Sequence, residues 1–322
     1  MCELHDHTPD STPRRLILTG ASGFVGRHLL PLFTDRGWEV HALGRGTQPD
    51  STRHPDIHWH RVDLNDTTAV ETLVASIQAT HLVHLAWYAE HGKFWAASEN
   101  LDCVAASLRL IRAFVRAGGE RVVATGTCAE YDWSTGLDLD EESTPLKPRT
   151  LYGRAKASLF ETLTPWAESG GISFAWARLF FLYGVGEDSR RLVPSISAPL
   201  AAGGTATCRF GDHLRDFLHV RDVASALAAL VHSDVAGPIN IASGRATRLG
   251  EVAWLIAREL AASSRLRIDA LPPTPDNPSA IVANATRLTR EVGWAPAVSL
   301  TSGLAESVRH LLPDIDTKRA AA

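Results

Sequence analysis

The chain has 322 residues, 45% hydrophobic and 21% charged, with a formal net charge of −4. Those are ordinary globular values, and a mildly acidic chain with scattered Lys and Arg argues against a nucleic-acid partner. The polar start "MCELHDHTPDSTPRR" lacks a secretion signal's apolar stretch, no apolar run reaches the roughly 18 residues of a membrane span, and Cys2, Cys103, Cys128 and Cys208 show no CxxC spacing. The expectation is a soluble, cytoplasmic α/β protein with no membrane partner, disulfide framework or zinc cluster.

In chain order, "RLILTG" from Arg15 reads as a short strand ending in Gly, and a helical pattern covers Phe24–Arg36. "WEVHAL", "IHWHRVDL", "HLVHLA", "RVVATG" and "SFAWARLF" repeat the strand signal, with helical stretches at Ala97–Ala117 and Leu151–Glu168. The alternation predicts βαβ units, hence an α/β fold with a Rossmann-type doubly wound parallel sheet. After Tyr183 the rhythm breaks into Gly/Pro-rich loops and shorter elements. The expected organisation is a dinucleotide-binding domain over 14–182 with a return near 216–245, and a smaller interleaved C-terminal substrate lobe from 183–215 and 246–316. Residues 1–13 and 317–322 are expected to be flexible tails.

"TGASGFVG" puts Gly20, Gly23 and Gly26 after the first strand and at the opening of the first helix. Gly20 permits the tight turn, Gly23 lets the backbone approach a pyrophosphate, and Gly26 allows close helix–strand packing. Ser22, Phe24 and Val25 fill the same turn, so all six are candidate cofactor contacts. A ribose-binding acid is expected about 20 residues on, yet the second strand ends in Gly44 and Arg45. A guanidinium can pair with a 2′-phosphate that a carboxylate would repel, so NADP(H) is favoured, with NAD(H) the alternative. Asp63 and Leu64, at the end of the third strand, are placed to meet the adenine; Asp63 could equally cap the following turn.

"YGRAK" sets Tyr152 and Lys156 at i and i+4 on one helix face. A phenol titrates near pH ~10, and an adjacent ammonium favours its phenolate, which brings it towards acid/base use.

These motifs, with Asn100 in "NLDCVAASLRLI", "ATGTCAEY", "ARLFFLYG" and "RDFLHVRDVA", occur in the order seen in extended short-chain dehydrogenases/reductases, which the chain resembles from about Arg15 to Val308. It looks most like the nucleotide-sugar epimerase/dehydratase/reductase group. The resemblance implies a Thr127/Tyr152/Lys156 triad, Phe180 beside the nicotinamide, and Leu85, Ala86 and Asn100 at the cofactor. It also implies that Lys156 holds the nicotinamide ribose, that Arg215 meets a nucleotide diphosphate, and that two long helices pair in a homodimer.

The 4,6-dehydratases of that family follow the triad Thr with Asp and Glu, because eliminating water needs an acid and a base. Here Cys128 and Ala129 stand there, and Glu130 would lie on the other side of an extended segment, so dehydration is rejected. Two reactions survive: NADP(H)-dependent reduction of a nucleotide-linked 4-keto-6-deoxy sugar, and NAD-dependent 4-epimerisation. A non-catalytic NADP-binding sensor is the reading from another class.

Departures from the family pattern fall on the substrate side. Phe181 replaces the Asn of an "R-x-F-N" turn, and "PPTPDNP" around Asp276 lacks the usual arginine. Arg190, Arg191 and Arg209 could supply phosphate contacts instead. Trp87, opening "WYAEHGKFW" after a strand's carboxyl end, could stack on a sugar ring or pack between lobes. His58 and His60 share a strand face with no third ligand or carboxylate in view, so no metal site is expected.

Overall fold

The computed structural model describes residues 14–46 and 57–320; residues 1–13, with Cys2, and 321–322 lie outside them. Seven strands form one parallel sheet: β1 (Arg15–Thr19), β2 (Glu39–Gly44), β3 (Ile57–Arg61), β4 (His81–His84), β5 (Arg121–Thr127), β6 (Ser173–Leu179) and β10 (Gly237–Ile241). Their spatial order is β10-β6-β5-β4-β1-β2-β3. The order reverses between β4 and β1, and the crevice at the carboxyl ends of those strands is where such sheets bind ligands.

The strands read as continuous apolar runs because both faces are covered: Leu16, Ile17 and Leu18 are completely buried. On one face lie α1 (Gly26–Thr34) and α6 (Val220–His232), contributing Leu29, Phe33, Leu227 and Leu230. On the other lie α2 (Thr67–Ile77), α3 (Glu99–Arg116) and α4 (Leu151–Gly170), contributing Val74, Leu110, Phe114, Leu159 and Leu163.

The remaining elements are β7 (Phe181–Tyr183), α5 (Leu192–Ala201), β8 (Ala206–Cys208), β9 (Leu214–His219), β11 (Ala246–Arg248), α7 (Leu249–Glu259), β12 (Leu266–Ile268), β13 (Ala280–Ile281), α8 (Thr286–Arg290) and α9 (Leu300–Ala320). Strands β7, β9, β11 and β13 make a second sheet, β8 and β12 a third, and α5, α7 and α9 enclose a separate apolar core around Ile196, Val252, Ile256 and Leu304. Asp216 on β9 ties this part to the loop after β10, accepting from Ser243 N, Ser243 Oγ and Gly244 N at 2.8, 2.6 and 2.9 Å. Residues 317–320 are helical, the last turn of α9. Nothing in that stretch breaks a helix, since it holds no Gly or Pro.

Candidate active site

The glycine turn closes tightly on itself and on β4. Gly20 sits in the left-handed region (φ 71°), and a Cβ there would come within 2.9 Å of Ala86 N. A Cβ on Gly26 would meet Gly20 O at 2.2 Å, so the first turn of α1 needs glycine to lie against the loop. Among the described residues no side chain caps α1, and Arg27 N and His28 N bond the backbone of the turn itself, to Gly23 O and Val25 O at 3.2 and 3.0 Å, while the positive end of the helix lies at the turn. Beside the turn lies a cavity of about 410 Å³ lined by Ser22, Leu43, Gly44, Gly46, Trp59, His60 and Arg61. Arg45 is exposed between two of the lining glycines. Trp59, His60 and Arg61 are missed by sequence reasoning; the signal is the parallel register, which sets Arg61 opposite Gly44. Asp63 is exposed and accepts from Asn65 N at 3.0 Å, the turn-capping alternative, while Leu64 packs on the core beneath α2. Tight turn, uncapped helix and adjoining cavity together suit a dinucleotide.

A buried relay fixes the β4 side of this crevice. Ser107 Oγ donates to Cys103 O at 2.6 Å, so it accepts from His84 Nε2 at 2.8 Å. His84 Nδ1 then accepts from the Thr19 hydroxyl at 2.7 Å, and Thr19 Oγ1 accepts from Ala86 N at 3.2 Å. Burial, and then the nearby Lys156 charge, hold His84 down to about 3, so it is neutral. Leu85 packs against the core under α1 and α6.

The triad is assembled by two local structures. After β5 the chain turns through a single 3-10 turn, Cys128–Glu130, with Thr127 Oγ1 accepting from Ala129 N at 3.2 Å and Glu130 Oε1 from Thr127 N at 2.8 Å. The Glu130 expectation is corrected here. The segment is not extended, and Glu130 folds back under Thr127, fully buried, bonded to Arg178 Nε at 2.7 Å and to Trp176 Nε1 at 3.0 Å. Cys128 is buried and free, its thiol pushed up to about 12 by burial, which leaves it inert packing. Thr150 then caps α4 by accepting from Gly153 N at 3.1 Å. Gly153 itself lies so close to the turn that a Cβ would come within 2.4 Å of Ala129 O.

Tyr152 is half-buried, with Phe94, Trp95 and Trp87 ring centroids 4.9, 5.8 and 6.4 Å away. Burial raises its phenol above the ordinary range, and a hydrogen bond with the Thr127 hydroxyl is the main opposing influence, with Arg191 a weaker one. Lys156 follows one turn further along α4 and is buried. Its ammonium donates to Thr125 O at 2.6 Å and lies 3.7 Å from the centre of the Trp87 ring. Burial pushes it down to about 7. Asn100, expected at the cofactor, is fully buried and engaged by the loop: it donates to Phe94 O and Ala97 O at 2.7 and 2.8 Å and accepts from Trp87 Nε1 at 2.8 Å.

On the substrate side, Arg215 is buried with no carboxylate bonded to it among the described residues. It donates to Leu214 O and Asn277 Oδ1 and sits 5.5 Å from the Phe181 ring centre. Burial holds its guanidinium down to about 10. Phe180 is buried against Tyr131. Arg191 precedes α5, Arg190 pairs with Asp188 at 2.8 Å, and Arg209 is exposed. Asp276 pairs with Arg149, and its neighbour Asn277 supplies the loop's contact to Arg215. Sequence spacing gives no sign of Asn277 or of Glu187. The Glu187 Oε2 atom is buried without a partner among the described residues, and burial pushes that carboxyl up to about 8.

The histidine reading needs one amendment. His41 stacks on His58 and His60 with centroids 4.9 and 5.2 Å apart and bonds Glu39 at 2.9 Å, so a carboxylate does join them. These groups bond one another, and among the described residues no three His, Cys, Asp or Glu are arranged to hold a metal ion.

Residues 16–242 match the model of the NAD dependent epimerase/dehydratase family. The chain belongs to that family. It is 24% identical over 308 residues to a UDP-glucose 4-epimerase of Corynebacterium glutamicum, covering 88% of this chain and 91% of the relative. It is also 24% identical over 299 residues to a CDP-abequose synthase of Salmonella muenchen, covering 90% and 96%. Among solved structures, the Thermus thermophilus UDP-glucose 4-epimerase complex with NAD matches with a TM-score of 0.78 and 25% identity, covering 92% of this chain and 98% of the other. The epimerase/dehydratase family is one of enzymes on a Rossmann-like fold, as the seven-stranded sheet is here. The NADP(H) preference gains no support from these relatives, since the Thermus enzyme holds NAD. No described helix is long and apolar enough to cross a membrane.

Proposed function

We propose that this family member reduces the 4-keto group of a nucleotide-linked 6-deoxy sugar, with Thr127, Tyr152 and Lys156 as its reacting set. The observation that carries the reading is Tyr152, a phenol kept protonated by burial beside the Thr127 hydroxyl, where no carboxylate follows at Cys128 or Ala129. A protonated phenol is what reduction needs. Thr127 binds the carbonyl oxygen, and Tyr152 gives its proton to that oxygen as carbon 4 is reduced. The crevice would hold the nicotinamide, which when bound would supply the hydride. Lys156, one turn along α4, holds the nicotinamide ribose, and Arg215 meets the diphosphate as the counter-charge it otherwise lacks. Arg45, standing where an NAD-type acid would be, supports NADP(H). Arg191 and Phe181 flank the sugar.

A second reading, 4-epimerisation with NAD, is favoured by one specific observation: the Corynebacterium and Thermus relatives are UDP-glucose 4-epimerases. Both readings share the triad, so the decisive variant for either is Tyr152→Phe. It is expected to cut turnover by about 10²–10⁴-fold while leaving dinucleotide binding in place. Full turnover in that variant would remove Tyr152 as the proton donor and with it the proposed reaction.

A further inference from the structure

We propose that Trp87 is a positioning residue for Lys156: its indole face, locked by Asn100, holds the lysine ammonium in place and in its charged form at the nicotinamide end of the site. The inference rests on the reading of Lys156 as the ribose-holding member of the triad, and it reassigns Trp87 from sugar stacking.

Trp87 follows directly on Ala86, whose backbone touches the glycine turn. Its indole N–H donates to Asn100 Oδ1 at 2.8 Å, and the Asn100 amide is tied in turn to Phe94 O and Ala97 O, so the ring is fixed at its polar end. The ring centre lies 3.7 Å from Lys156 Nζ, well inside the range of a cation–π contact. Thr125 O is the sole hydrogen-bond partner of that ammonium among the described residues.

The other groups around Lys156 give it little charge support. His84 on β4 is neutral between Thr19 and Ser107, and the Cys103 thiol on α3 is raised by burial and so uncharged. Glu130 favours the ammonium but is bonded to Arg178. Tyr152, one turn earlier on α4, is a neutral phenol, and the Trp176 ring centre is farther away at 5.8 Å. A buried ammonium in such surroundings is driven towards the neutral amine. The Trp87 quadrupole is the close group that opposes this.

The test uses the full chain without cofactor, so it stands apart from any turnover assay. The ¹³Cε resonance of Lys156, one of four lysines, is identified by its loss in Lys156→Met and titrated by NMR. A midpoint near about 7 is expected in the natural sequence. Trp87→Leu lowers it by about one pH unit, and Trp87→Phe, which keeps a π face but not the bond to Asn100, lowers it less. Should Trp87→Leu fail to fold, replacing all nine tryptophans by 5-fluorotryptophan withdraws electron density from the ring with little change of shape, and lowers the midpoint too. A packing role alone predicts no response to fluorination. Midpoints within about 0.2 unit of the natural protein in the folded variants and the fluorinated protein overturn the proposal. The proposed reaction fails on a different result, full turnover in Tyr152→Phe.

Discussion

Burial raises the Tyr152 phenol, so it stays protonated and has a proton to give, while the hydrogen bond with the Thr127 hydroxyl offsets part of the rise that makes that proton harder to release. Lys156 sets the pH dependence. Burial pushes its ammonium down to about 7, so it carries charge below that pH and loses it above. Dinucleotide affinity, followed by fluorescence titration across pH, is therefore expected to fall as pH rises through about 7. Lys156→Ala should bind weakly throughout and show a flat profile. An affinity in the natural protein that does not change between about pH 6 and 8 would mean that the lysine charge does not hold the ribose.

Two short elements bring the triad together, and each makes a prediction. The turn Cys128–Glu130 hangs on a buried ion pair, with Glu130 and Arg178 at 0% and 1% side-chain exposure. Glu130→Gln leaves the guanidinium buried without its counter-charge and should cost about 3–5 kcal/mol in denaturant unfolding. Glu130→Leu combined with Arg178→Met should recover much of that stability but little of the turnover, because Thr127 N loses its acceptor. Equal loss in the single and double variants would argue against the pair as the source. Gly153→Ala drives a methyl against Ala129 O and pushes α4 off the turn. Turnover should fall at least tenfold, with the helix content by circular dichroism unchanged. The spacing of Tyr and Lys in "YGRAK" is legible in the sequence because helix periodicity is local. The reason for its glycine is not, since the neighbour it clears is Ala129, far back in the chain. Glu130 is misread from sequence for the same cause: alternation along a strand says nothing about a chain that has already turned.

Across the whole molecule, what is local in origin is also what the sequence displays. The strands of the parallel sheet are continuous apolar runs, and the glycine turn carries its own conformational demand, so sheet and cofactor crevice are both legible. α2 is missed because its apolar positions span only Thr67–Ile77, and the small sheets are missed because β9 pairs with β7, β11 and β13 across long stretches of chain. Asn277 reaches Arg215 only through that folding, and the Trp59–Arg61 cavity wall only through the register of β3 on β2. Acid stability belongs to this scale as well. Burial holds His81 down to about 4 and His84 down to about 3, below the ordinary 6.5 of the unfolded chain. Their contribution is complete above pH 6.5 and is lost as pH falls towards those values, because the unfolded state binds the proton first. Glu141 and Asp216, both pushed up to about 6, and Glu187, pushed up to about 8, act in the opposite sense over part of the range. With His28, His41, His60 and His219 also lowered, the histidines outnumber them, and the melting temperature should drop between about pH 6.5 and 4. A melting temperature that rises on acidification would reverse that balance.

The reduction reading is tested most directly by the nucleotide that accompanies the purified protein, released by denaturation and identified by liquid chromatography with mass spectrometry. The account predicts little or no retained NAD⁺, and a site that then binds NADPH much more tightly than NADH. Stoichiometric NAD⁺ carried through purification would contradict it, demote Arg45, and leave the 4-epimerase as the reading of this site.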